Sequence, residues 1–148
     1  MTSRRRKLTP QSQVFIDAGY IVGMLDDGDQ FHGASKAWAL KLPHPHRITT
    51  TAVLGECGDR FAKRGAWDIF SRYLVRLERD PFTEIVPVDR RLFDRAVALR
   101  RKHPSWRWAG ITDCISFVVM TDRGITEALS GDGDYGPAGF DALLLRAP

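Results

Sequence analysis

A run of only three core-type residues, Val14-Phe15-Ile16, ends abruptly on a carboxylate, Asp17, and is followed at once by a helix-like segment from Ala18 to Leu25. Three apolar residues in a row suit a strand buried on both faces, and a helix so soon afterwards leaves no room for a hairpin partner. The same alternation returns along the chain. After a helical segment from Phe31 to Leu42, with Ala34, Ala37, Trp38 and Leu42 at helical spacing, Pro43-His44-Pro45-His46 breaks the pattern. Ile48 to Thr50 is a second strand, Glu84 to Val88 a third, and the end of Ile125 to Ser130 a fourth. Ala142 to Leu145 offers a short fifth.

Between them lie four further helical segments: Ala52 to Lys63, Trp67 to Glu78, Asp89 to Lys102, and one running to about Asp122 with Thr112 as its N-cap. Phe70, Leu74 and Leu77 share one helical face. Leu92, Phe93, Ala96 and Leu99 are expected to point inward, opposite a basic face. Strands alternating with helices predict an α/β fold: a mostly parallel sheet covered on both faces.

At 148 residues and 43% hydrophobic, the chain suits one domain with a sizeable core. We place that domain at residues 13–148, preceded by a basic, polar arm over residues 1–12 that is expected to be flexible. The net charge of +4 is compatible with a polyanionic partner without establishing one. Cys57 and Cys114 stand in apolar contexts and read as buried thiols of a reducing cytoplasm. No apolar run approaches the roughly 18 residues of a membrane span. The basic start lacks the apolar stretch of a signal peptide, so a cytoplasmic protein is expected. The chain has no Walker loop, no G-x-S-x-G elbow and no dinucleotide fingerprint, and Gly131-Asp132-Gly133-Asp134 lacks the spacing of an EF-hand.

Four acids, Asp17, Glu56, Asp113 and Asp132, each adjoin an apolar segment. Carboxylates among core-type residues need compensation, and one divalent cation can compensate several. Oxygen donors with few nitrogen or sulfur alternatives favour Mg2+ or Mn2+ over zinc. In an open α/β sheet, ligands bind beyond the carboxyl ends of the strands, and all four acids can reach that edge. Each also has a plainer role open to it. Asp17 can cap a helix, Glu56 can pair with Arg60, Asp113 can sit favourably in a first helical turn, and Asp132 can serve a turn.

The blocks Val14-Phe15-Ile16-Asp17-Ala18-Gly19-Tyr20, Thr49 to Glu56, Thr112 to Met120, and Ala128 to Tyr135 followed by Ala138-Gly139-Phe140 closely resemble PIN-domain nucleases, especially VapC-type toxins. The resemblance covers about residues 13 to 141 and is most specific around Asp113. It implies a three-layer α/β/α fold and Mg2+- or Mn2+-dependent endoribonuclease activity, with Asp17, Glu56, Asp113 and Asp132 as the acidic quartet. Asp17, Asp113 and Asp132 would hold the metal. It further implies a small antitoxin partner and often a homodimer. Three departures stand out. Ala18 and Gly19 replace residues that commonly carry hydroxyls, Asp134 occupies a position often taken by histidine, and Arg107 to Gly110 carries an extra residue. For RNA contacts, the sequence offers Arg4, Arg5, Arg6 and Lys7, the basic face of residues 90–102, and Arg107 with Trp108. A solvated surface and a core tryptophan are the plainer alternatives.

Overall fold

The structure is a computed structural model, and it describes residues 12–42 and 45–148. The elements run β1 (Gln13–Ile16), α1 (Ala18–Leu25), α2 (His32–Lys41), β2 (His46–Thr50), α3 (Thr51–Lys63), α4 (Trp67–Arg79), β3 (Thr83–Val86), α5 (Arg90–Lys102), α6 (Ile111–Arg123), β4 (Glu127–Leu129) and β5 (Asp141–Ala142). Short 3-10 turns occupy Gly133–Tyr135 and Leu143–Leu145. The strands form one sheet in the order β3-β2-β1-β4-β5, and every pairing is parallel.

The central strand explains the layering. Val14, Phe15 and Ile16 point alternately to opposite faces, yet all three are buried. Both faces must therefore be covered, and the fold is a three-layer α/β/α sandwich. One contiguous core includes Phe15, Ile16, Ile21, Ile48, Val53, Phe117, Met120 and Leu129. Cys57 and Cys114 are free and buried within it, as their sequence context suggests.

Local chemistry sets several boundaries that differ from the sequence expectation. β3 stops at Val86 because Pro87 has no N–H to continue the ladder. The fifth strand is only Asp141–Ala142. Beyond it β4 has no further residues to pair, and Leu144 N–H bonds instead to Ser130 O at 3.1 Å within a 3-10 turn. Thr112 is not the N-cap of α6. Gly110 takes that place, with its carbonyl accepting from Cys114 N–H at 3.1 Å, so Thr112 already lies inside the first turn. On α5, Leu92 and Ala96 are buried, but Phe93 is 42% exposed because it falls beside the core-facing stripe. Arg4, Arg5, Arg6 and Lys7 lie outside the described residues, as does His44.

Strand order positions the functional edge. From β1 the chain proceeds to β2 on one side, and later returns through β4 on the other. The carboxyl ends of β1 and β4 therefore flank a topological switch point, where the loops diverge and leave a crevice.

Candidate metal centre

Asp17 leaves the carboxyl end of β1, and its N–H still donates to Leu129 O of β4 at 3.2 Å. It occupies the N-cap position of α1 but makes no side-chain cap bond. Its Oδ2 instead accepts from Ser130 Oγ at 2.7 Å, so the capping alternative does not account for its carboxylate. Asp17 is 7% exposed. Burial raises its pKa to about 6, with the Ser130 hydroxyl and the Ala18 N–H pulling the other way and the charges of Glu56 and Asp132 adding to the rise.

Asp132 follows β4. Its N–H donates to the same Ser130 Oγ at 3.1 Å, while its Oδ1 accepts from Asp134 N–H at 2.9 Å. Asp132 thus does serve its turn, and one of its oxygens is engaged there. Asp113 enters from the first turn of α6. Burial, then the charges of Asp132 and Asp17, push its pKa up to about 8, and the neighbouring Glu56 contributes in the same direction. Glu56 stands on α3 with its Oε1 3.5 Å from Arg60 Nη2, so the i,i+4 pairing is present but long.

Asp17, Glu56, Asp113 and Asp132 all line one open cleft of about 550 Å³ at the switch point. The tightest grouping contains a residue the sequence reading set aside. Asp113, Asp132 and Asp134 present carboxylate oxygens that all lie within 4.8 Å of one another. Burial and the adjacent Asp132 also raise the pKa of Asp134. Asp17 and Glu56 line the same cleft but do not belong to that trio. The donor set fits a hard divalent cation: it is all oxygen, and burial together with neighbouring carboxylates raises the pKa of two of its members, a cost that a cation would offset.

Other cleft residues carry no metal-ligand signature in the sequence. Phe31 packs its ring against the backbone of Gly131, where an added Cβ would collide with the ring. Asp29 accepts from Phe31 N–H at 2.9 Å and fixes that wall. Arg60 and Trp108 also line the cleft. Arg107 beside Trp108 is exposed.

The model of the PIN-domain family matches residues 14–140. The chain belongs to the PIN-domain family. It is 32% identical over 136 residues to the 23S rRNA-specific endonuclease VapC20 of Mycobacterium tuberculosis, an alignment spanning 86% of this chain and 95% of that protein. The crystal structure of M. tuberculosis VapC20, described as a sarcin–ricin loop cleaving toxin, superposes with a TM-score of 0.80 at 26% identity. It covers 91% of this chain and 99% of that one. FitAcB from Neisseria gonorrhoeae matches with a TM-score of 0.64 at 15% identity over 86% and 94% of the two chains, a likeness of fold alone. Among the described residues of this PIN domain, no helix is long and apolar enough to cross a membrane.

Proposed function

We propose that this PIN-domain protein is a Mg2+- or Mn2+-dependent endoribonuclease, the toxin of a toxin–antitoxin pair acting in the cytoplasm. The observation that carries this reading is the convergence of Asp17, Glu56, Asp113 and Asp132, from four separate segments, on one cleft at the switch point. Similarity to an endonuclease specific for 23S rRNA makes structured ribosomal RNA the first substrate to try.

Asp17, Asp113 and Asp132 would hold the cation, with Asp134 beside them. A divalent ion bound there supplies charge neutralisation for the scissile phosphate and lowers the pKa of an attacking water. Asp113 must give up its proton for that role, since its pKa is raised to about 8. Glu56 is 41% exposed at its side chain, so it can accept a hydrogen bond from water and aim a lone pair at phosphorus. Ser130 fixes the Asp17 carboxylate, and through its second bond it also fixes the start of the Asp132 turn. The exposed Arg107 and Trp108, with the basic arm Arg4-Arg5-Arg6-Lys7, would contact RNA. The partners would be a small antitoxin covering the cleft and a second copy of the chain.

Incubation with 23S rRNA, and with transfer and messenger RNAs, tests the reading. Cleavage of at least one RNA in Mg2+ or Mn2+, abolished by chelator and by Asp113→Asn, is expected. Undiminished cutting in chelator would remove the metal mechanism.

A further inference from the structure

Trp108 is 81% exposed, although the loop that carries it is firmly anchored. Arg100 reaches over from α5 and donates to Ala109 O at 2.9 Å and to His103 O at 3.0 Å. Trp106 stacks on His103 with ring centroids 3.9 Å apart and packs edge-on against Phe117 in the core. Ala109 is buried. With both flanking positions tied down, the indole of Trp108 is presented at the cleft by the fold itself. A large aromatic face held in water beside an acidic site is a platform for another flat, partly apolar group.

Arg60 is the second unexplained feature. It is the one basic side chain among the described residues lining the cleft. Its contact with Glu56 is a single one, 3.5 Å long, between groups that are half exposed, and such pairs contribute little. Most of the guanidinium's five donors have no partner among the described residues and can meet an anion that matches its fork, which a phosphate does. A phosphate drawing Arg60 away would also leave Glu56 without its cation, facing the cleft.

We propose that Trp108 and Arg60 clamp one nucleotide of the RNA, its base stacked on the Trp108 indole and its phosphate held by Arg60, which releases Glu56 in exchange. The clamp rests on the ribonuclease reading of the same cleft and adds two specificity-determining side chains to it. The anchored aromatic favours a base over a protein side chain because the same cleft holds a cation suited to the phosphate that a base carries with it.

The test uses the full chain and a synthetic sarcin–ricin-loop hairpin, read by equilibrium binding in chelator and by cleavage in Mg2+. One series of hairpins carries a single abasic position, moved residue by residue, and a second carries a single uncharged methylphosphonate linkage. One abasic position should weaken binding to the wild type roughly tenfold, about the worth of one stacked base. That position should have no effect on Trp108→Ala. One methylphosphonate should weaken wild-type binding about fivefold and leave Arg60→Gln unaffected. Both residues are exposed enough that neither change should disturb folding, and a thermal melt checks this. If each variant is as sensitive to the modified RNAs as the wild type, or if Trp108→Ala impairs only the capture of an antitoxin, the clamp is wrong. Binding without any cutting would count against the ribonuclease reading while the binding series still decides the clamp. No binding of the hairpin would overturn the clamp.

Discussion

The Ser130 hydroxyl donates to Asp17 Oδ2 at 2.7 Å across 113 residues of sequence, at a point where both groups are buried. The same oxygen accepts from Asp132 N–H. One small side chain therefore orients two of the four acids.

Ser130→Ala should cost about 1–3 kcal/mol of folding stability in denaturant titrations, since a buried carboxylate loses its donor and the Asp132 N–H loses its acceptor. The Asp17 pKa, already about 6, should rise further because the lost bond favours the ionised form. NMR titration of the Asp17 carboxyl carbon reads this directly. An unchanged titration would mean that the bond does not form in solution.

Asp113→Asn should reduce cleavage by at least about a hundredfold while stabilising the metal-free protein, because it removes one charge from a crowded cluster. The sign with pH is fixed. Folding raises the pKa of Asp113 from 3.8 to about 8, so the folded chain binds the extra proton. The wild type has this contribution in full below about pH 4 and loses it progressively as pH rises through 8. The melting temperature of Asp113→Asn should then exceed that of the wild type by about 5 °C or more at pH 8.5, with the gap closing toward pH 4. A gap that widens on acidification would contradict the assignment.

Metal affinity should follow the same proton. Because Asp113 must deprotonate to bind, the half-saturating Mg2+ concentration should fall by up to about tenfold per pH unit between pH 6 and 8, then level off. Calorimetry in buffers of different ionisation enthalpy should record about one proton released per ion bound. Proton-neutral binding at pH 7 would show that the trio of acids is already ionised.

Gly131→Ala should impair the cleft more than the size of a methyl group suggests. The new Cβ would collide with the Phe31 ring, which must leave the wall it forms beside Asp132. Gly133→Ala, two residues along and in open space, is the control. Cleavage should drop in the first variant and persist in the second. Equal activity of both would mean that the Phe31 wall plays no part.

Much of this fold was legible because its signals are local. Val14-Phe15-Ile16 can only be a short strand covered on both sides, and the acid at its end marks the carboxyl edge. The four acids could be selected because each adjoins core residues. Their grouping was not legible. Asp134 joins Asp113 and Asp132 through a 3-10 turn whose geometry depends on Asp132 accepting from Asp134 N–H, and no spacing rule signals that. Ser130 and Phe31 have ordinary local contexts, and only the parallel pairing of β1 with β4 and the return of the 29–31 loop bring them to the site. Thr112 was misjudged as a cap because Gly110 supplies an earlier start to α6.

The pairing of β1 with β4 has a consequence for synthesis of the protein. Asp17 is made well before the strand that holds it against Ser130, Glu127–Leu129, and Asp132 follows later still. A chain terminated before β4 keeps Asp17, Glu56 and Asp113 but lacks the strand that brings the first of them into register with the last of the four acids. The four carboxylates can therefore meet only once β4 and the turn after it have been made, and a chain stopped before them carries three of the acids without the strand that gathers them.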